Sequence, residues 1–373
     1  MGKRTEFLFM SEPDMIEAGV LDAKACTDTC EEVFKLLAQG DYLMGGANHN
    51  SHGMGIVFPE TSPFKNMPVA GPDRRFVAMP GYLGGRFDVC GVKWYGSNQE
   101  NKKHGLPRSV LTVMLNDKET GEPLVLMSAN LLSSARTGGV PAVASRYLAP
   151  QGSEVLAVVG CGAINKSCTA HIVSQNPSLQ KVMCYDLFPE AASAFVKFVE
   201  SDLGLQAQVA KELPDAVGEA DLVTVAASRL KPLGVEDSWF KQKATVLLTG
   251  PMQANEEFWT KSQIVYDNIH LHEAYVQEAR EAPDLDAAYD AVIGGPLYRL
   301  IDQDKLPELA NSLDLGHLIL DSETARETER DRKVFVACGM SVFDLGWGYD
   351  LYKRALAKNI GTKLTLWDEP HQA

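Results

Sequence analysis

The sequence predicts an α/β protein in which a doubly wound parallel sheet is joined to an α+β domain. Three observations carry this. From Glu154 onward, short apolar runs alternate with helical stretches, as crossover helices between parallel strands require. The first of these runs, EVLAVVG, ends in a Gly-x-Gly turn at Gly160 that opens a helix, the start of a Rossmann-type unit. Residues 40–127, by contrast, hold strand-like runs and Gly/Pro/Asn-rich loops without helical spacing.

Taken in order, residues 12–39 carry two amphipathic helices. Ser11 offers a cap ahead of Pro13, and Met15, Ile16 and Val20, then Val33, Phe34 and Leu37, recur at helical spacing. Strands are expected at Phe87–Tyr95, Ser109–Leu115 and Pro123–Met127, the last two joined by the turn NDKETGEP. Ser128–Tyr147 returns to helical spacing. Then come strands at 154–159, Lys181–Tyr185, Gln206–Val209, Asp221–Ala226, Ala244–Thr249 and Ile264–Tyr266, with helices at Ile164–Gln175, Pro189–Leu203 and Glu212–Gly218 between them. The block 334–373 reads mostly as one long helix that packs back on the first domain.

Composition narrows the function. A net charge of −14 without a Lys/Arg cluster speaks against a nucleic-acid partner. No run approaches the roughly 20 apolar residues of a membrane span, and the apolar stretch Phe7–Met10 is too short for a signal peptide. Seven cysteines, an odd count with no CxxC pair, fit a reducing cytoplasm without structural disulfides. Cys26 and Cys30, one turn apart, read as two helix positions.

The chemistry begins at Gly160-Cys161-Gly162-Ala163-Ile164-Asn165. The first glycine permits the tight turn, and the second lets the backbone approach a pyrophosphate. The helix start at Ala163 and Ile164 offers N–H groups and a favourable dipole to that anion. Asn165 stands where the usual motif has its third glycine. Asp186 ends the next strand, where a carboxylate accepts from ribose hydroxyls and repels a 2′-phosphate, so the expected cofactor is NAD rather than NADP. Ala226, Ala227 and Ser228 follow the strand DLVTV, small enough to let a dinucleotide cross the sheet edge. The bland alternatives are an ordinary strand-to-helix turn and a plain loop.

Several segments together resemble the ornithine cyclodeaminase/mu-crystallin family: GVKWYG, SVLTVMLNDKETGEPLVLMSANLLSSARTGGVPAVASRYLAP, VVGCGAINKSC, MCYDLFP and ALAKNIGTKLTLW. The stretch NHNSHGMGIVFP with GPDRRFVAMPGYLGGRF is similar to a longer subgroup named for a component of tyramine oxidase. The resemblance implies that a lysine and an arginine hold the substrate carboxylate; the matching positions are Lys93 and Arg136. A guanidinium can grip a carboxylate bidentately and an ammonium adds a point charge. For each, a salt bridge or a snorkelling surface chain is the alternative. Thr112 matches a family position near the cofactor, or is a plain strand threonine.

Departures from the family pattern matter equally. Pro251 occupies the place of an aspartate that handles the amino group in cyclodeaminases, and proline cannot move a proton. Ala337 replaces a family serine, and an expected arginine gives way to His49, Asn50 and His52. His49 and His52 are candidate substrate-binding residues, and with Glu256 candidate proton donors. His270 and His272 could offer two metal ligands, but no third is spaced to join them, and a surface loop is the expected setting.

The expected organisation is a substrate-binding and dimerisation domain, 1–145 with 330–373, around a dinucleotide domain, 146–329. The expected activity is that of an NAD(P)-dependent oxidoreductase on the C–N bond of a small amino or imino acid, with Lys93 and Arg136 as catalytic residues, no metal, and a homodimer as the implied assembly. The alternatives are an ammonia-eliminating cyclodeaminase using bound NAD, a non-catalytic ligand carrier, and an accessory component of an amine-oxidising system.

Overall fold

A computed structural model gives the structure of the chain and describes residues 3–227, 233–321 and 332–372. The chain divides into two compact units: Met1–Asp22, Gly40–Arg136 and Met340–Ala373 form unit 1, and Ala23–Gln39 with Thr137–Gly339 form unit 2.

Unit 1 is built on one sheet. Its strands are β1 (Thr5–Met10), β2 (Tyr42–Met44), β3 (Met54–Val57), β4 (Arg75–Leu83), β5 (Val89–Ser97), β6 (Ser109–Asn116) and β7 (Pro123–Ser128), with a C-terminal strand, Thr362–Trp367. The order is C-terminal strand, β1, β7, β6, β5, β4, β2, with β3 also on β4. Strand side chains alternate, so cross-strand partners share a face. The pairs Met79–Lys93 and Lys93–Val113, then Val113–Met127, define one face. It is covered by the helix Ser341–Lys358, which packs on β4, β5 and β6. The pairs Ala78–Trp94 and Trp94–Thr112 define the other face, where Phe76 and Trp94 are exposed and stack at 5.7 Å.

Two glycines seat the covering helix. A Cβ at Gly91 would lie 2.8 Å from the Leu345 side chain, and one at Gly81 would lie 3.3 Å from it. The sheet therefore admits this helix only where β4 and β5 lack side chains.

Unit 2 is a parallel sheet of β8 (Val155–Val159), β9 (Lys181–Tyr185), β10 (Gln206–Val209), β11 (Leu222–Val225), β13 (Thr245–Leu248), β15 (Gln263–Tyr266), β16 (Leu313–Asp314) and β17 (Lys333–Val336). A small parallel pair, β12 (Leu233–Val235) with β14 (Met252–Ala254), lies beside it in sequence. The order β10-β9-β8-β11-β13-β17-β15-β16 runs outward one way from β8 and then resumes on its other side at β11. That reversal makes the carboxyl ends of β8 and β11 a topological switch point, where ligands bind in open α/β sheets. The core strands are apolar on both faces, as Leu156, Ala157, Val158, Val223, Val246 and Leu247 show.

The structure differs from the linear reading in the placing of several elements, and the C-terminal strand Thr362–Trp367 lies in a block expected to be mostly helix. The helix Ala23–Gln39 belongs to unit 2, not to the unit of its sequence neighbours. Its Cys30 sulfur would lie 2.8 Å from a Cβ on Gly139, its Phe34 carbonyl 2.5 Å from one on Gly316, and Arg146 Nη1 donates to its Glu31 at 2.6 Å. Lys333–Val336, expected at the edge of a helical block, is instead a buried strand between β13 and β15. No disulfide joins any of the seven cysteines, and Cys26 and Cys30 are buried helix positions. Among the described residues, no helix is long and apolar enough to cross a membrane and no group of three side chains is placed to hold a metal ion.

Candidate functional site

In unit 2 the turn after β8 is made of backbone. Gly160 sits at φ +90, and a Cβ there would lie 2.9 Å from Ala227 Cα and 3.0 Å from the Ala226 carbonyl. Only glycine combines that conformation with so close an approach. A Cβ at Gly162 would meet nothing within 4 Å. Gly162 is the N-cap of the helix Ala163–Gln175 and brings no capping side chain, and Ala163 is exposed beside it. A helix start with uncapped N–H groups in front of open space fits a pyrophosphate.

Asn165 serves this turn from behind. It is fully buried; its amide donates to the Val159 carbonyl at 2.9 Å and the Gly160 carbonyl at 2.7 Å, and its oxygen accepts from Thr224 at 2.9 Å. The residue in the third glycine's place thus ties β8 to β11 rather than offering its side chain to a ligand. Asp186 accepts from the Cys161 N–H at 2.7 Å and from the Phe188 N–H at 2.9 Å, one bond per oxygen. Each oxygen keeps a second lone pair for a hydroxyl donor. Ala226 and Ala227 lie half-buried at the end of β11 against Gly160. Ser228 lies outside the described residues.

In unit 1, Lys93 on β5 and Arg136 are brought together by a residue that motif and spacing did not single out. Asp344 on the covering helix places its Oδ2 2.9 Å from Lys93 Nζ and 3.0 Å from Arg136 Nε. All three are buried. Burial, then the Arg136 charge, pushes the Lys93 ammonium down to about 8, against the pull of Asp344. Burial pushes Asp344 upward, but the Arg136 and Lys93 charges outweigh it and hold the carboxyl below its ordinary value. The salt-bridge alternative therefore describes part of the geometry. Its distinctive feature is that two buried cations share one carboxylate oxygen. A lysine and an arginine set side by side in a buried place suit the carboxylate of an anionic ligand.

The other candidates have the following places. Thr112 pairs with Trp94 on the opposite face of the sheet from Lys93. His49, exposed at φ +59, and the half-buried His52 lie in the loop between β2 and β3, and neither is among the described contacts of Lys93 or Asp344. Glu256 is exposed and its carboxylate pairs with Lys305 at 2.6 Å. Pro251 follows β13, and the buried Ala337 follows β17.

His270 and His272 are not on a surface loop but on the helix Ile269–Glu281, capped by the Asn268 side chain. His272 is fully buried, with Nε2 2.9 Å from Asp267 Oδ1 and Nδ1 2.6 Å from the Tyr298 hydroxyl. A carboxylate only accepts, so Nε2 carries the hydrogen on that side. The other oxygen of Asp267 accepts from the Cys338 N–H at 2.8 Å and the Gly339 N–H at 3.3 Å. This network fixes the turn leaving β17. The cap was visible in sequence as Asp267-Asn268 ahead of a helical stripe.

Known proteins share this architecture along its whole length. The chain is 25% identical over 370 residues to N-((2S)-2-amino-2-carboxyethyl)-L-glutamate dehydrogenase of Staphylococcus aureus, covering 97% of this chain and 99% of that one. The solved structure of Thermococcus litoralis Delta(1)-pyrroline-2-carboxylate reductase, in complex with NADH and L-proline, matches with a TM-score of 0.76 at 22% identity over 95% of this chain and 99% of that one. An archaeal alanine dehydrogenase dimer with bound NAD matches with a TM-score of 0.76 at 22% identity over 97% of this chain and all of that one. At these identities the two structures show a common fold. The family model of ornithine cyclodeaminase and mu-crystallin matches residues 20–359, and the chain belongs to the ornithine cyclodeaminase/mu-crystallin family.

Proposed function

We propose that this chain is an NAD-dependent oxidoreductase acting on the C–N bond of a small amino or imino acid, and that it works as an imine reductase. The observation that carries the reading is the pair of buried cations, Lys93 and Arg136, gathered at one Asp344 oxygen. It calls for a carboxylate, and the relatives named above act on amino or imino acids by their names. Bound NADH would supply a hydride to the carbon of a C=N bond beside the carboxylate. Arg136 and Lys93 would hold the carboxylate, and the Lys93 ammonium would polarise the imine. The first turn of the helix Ala163–Gln175 would seat the pyrophosphate, and Asp186 would accept from the ribose hydroxyls and repel a 2′-phosphate. The nitrogen takes up one proton, so one NADH and one proton are consumed per imine. Holding the reactants in register is the main contribution asked of the protein.

The test is stopped-flow loss of NADH absorbance with cyclic and linear imino acids, with ammonia assayed in parallel. The expected result is NADH consumed in step with amine formed and no ammonia released from the matching diamine. Ammonia released without net NADH change would establish the cyclodeaminase reading instead, and tight binding without turnover would establish a carrier. Pro251 in the aspartate's place favours the reductase over the lyase.

The proposal extends to a cytoplasmic homodimer formed through unit 1. The seven cysteines, none of them in a disulfide, support the compartment. The uncovered sheet face supports the dimer, with Met54, Ile56, Phe76 and Trp94 exposed on one side of β3, β4 and β5. Phe76→Glu with Trp94→Glu is expected to give a monomer in sedimentation velocity. A dimer of unchanged affinity would move the interface elsewhere.

A further inference from the structure

Asp344 takes no part in the chemistry proposed above, yet it is the most completely buried ionisable group touching the proposed carboxylate site. Its helix is seated on β4 and β5 through Gly81 and Gly91, which fixes the depth at which its side chain enters the cluster. Ser341, one turn earlier, donates to the Pro80 carbonyl at 3.4 Å. The Oδ2 oxygen accepts a hydrogen bond from Lys93 and forms an ion pair with Arg136 Nε, while Oδ1 is buried and has no hydrogen-bond partner among the described residues. An ion pair that served stability alone would use both oxygens, because a buried acceptor left unmade is costly.

We infer that Asp344 is a positioning residue for the proposed reduction: a single oxygen sets the directions of the Lys93 and Arg136 heads and keeps Lys93 protonated while no substrate carboxylate is present. The inference rests on the proposed reductase function and adds a residue to it. The electrostatics agree. Lys93 faces Arg136 across the cluster, Asp344 on the covering helix, and the Tyr95 ring 5.9 Å away on its own strand. Its cross-strand partners, Met79 on β4 and Val113 on β6, are apolar. Burial and Arg136 both work to strip its proton, and Asp344 alone opposes them. Without that carboxylate the lysine would lose its charge at lower pH, and both the carboxylate grip and the polarisation of the imine would go with it.

Asp344→Asn keeps the shape and removes the charge. In the pH profile of kcat/KM for imino-acid reduction, the alkaline limb set by Lys93 is expected near pH 8 in the natural protein. It should move down by at least about one pH unit in Asp344→Asn, return most of the way in Asp344→Glu, and leave NADH affinity unchanged. A second measurement needs no turnover. The folded-state pKa of Lys93 is depressed, so the unfolded chain binds more protons and stability contributed through this group rises with pH from about 8 towards 10.5. Subtracting the Tm-against-pH curve of Lys93→Met from that of the natural protein isolates that rise. Subtracting Asp344→Asn/Lys93→Met from Asp344→Asn should place it at lower pH. Coincident difference curves with an unmoved kinetic limb would reduce Asp344 to a packing role and overturn the inference. Separated difference curves in a protein that reduces no imino acid would uphold the electrostatic role and discard the reductase reading.

Discussion

The glycine turn of unit 2 and the cation cluster of unit 1 are built in opposite ways. The turn is made of backbone: a positive-φ glycine, a helix start without a cap, and two side chains, Asn165 and Asp186, that bond to main-chain groups. Its parts fall within 27 residues of sequence, Gly160 to Asp186. The cluster is made of side chains from a strand and two helices, and Lys93 and Asp344 are 251 positions apart. A backbone site is specified by local geometry and tolerates change at its periphery. A side-chain site is specified by tertiary packing and fails when any one member is removed.

Breaking the cluster should therefore have the largest effect. Arg136→Ala removes one of the two cations gathered at Asp344. Truncating one partner of a buried charge pair with a ligand costs about 2–5 kcal/mol, so kcat/KM for imino acids should fall on the order of 10²–10³-fold, with NADH affinity measured by fluorescence titration unchanged. Activity unaffected by this substitution would remove the carboxylate clamp from the proposal.

Next in size is the turn. Gly160→Ala forces a Cβ against Ala227 Cα at an unfavourable φ. Strain of about 1–3 kcal/mol should weaken NADH binding roughly tenfold or more, while the pH dependence set by Lys93 stays in place. If imino-acid binding fell instead and NADH binding held, the two roles would have to be exchanged.

Asp186→Asn sharpens the same half of the comparison. The amide keeps an acceptor but loses the negative charge, so the preference for NADH over NADPH should narrow by on the order of tenfold, read as the ratio of the two kcat/KM values. The smallest effect is expected at Glu256. Its contact with Lys305 is an exposed ion pair of about 0–1 kcal/mol, so Glu256→Gln should leave kcat/KM within about twofold. A larger loss would restore Glu256 as a proton carrier.

The same contrast explains which parts of the molecule are legible in its sequence. The strands of unit 2 are legible because parallel strands buried on both faces are continuous apolar runs, and the turn is legible because its chemistry is contiguous. Lys93 and Arg136 are reached through a family resemblance rather than through their spacing. Asp344 is not reached: in sequence it is one polar position in the stripe SVFDLGWG, and only the seating of that helix on Gly81 and Gly91 brings it to the lysine. The helix Ala23–Gln39 is foreseen as a helix but placed in the wrong unit, because an amphipathic stripe states which face is buried and not against what. Lys333–Val336 is absorbed into a helical block because a four-residue apolar run does not distinguish strand from helix. Thr112 shows a limit of register: a shift of one residue along a strand moves a side chain to the other face, and Lys93 and Thr112 stand on opposite faces.

The Asp267 network extends the reach of this fold beyond its visible motifs. The peptide groups of Cys338 and Gly339 are anchored by a carboxylate whose own partner, His272, sits 66 positions before Cys338 and contacts no solvent. A survey of variants ranked by distance along the chain from the glycine motif would score His272 as neutral interior. Its replacement would slacken the main chain where the sixth strand from the sheet edge ends, and a loss of performance arising there would carry no trace in the residues that motif searches inspect.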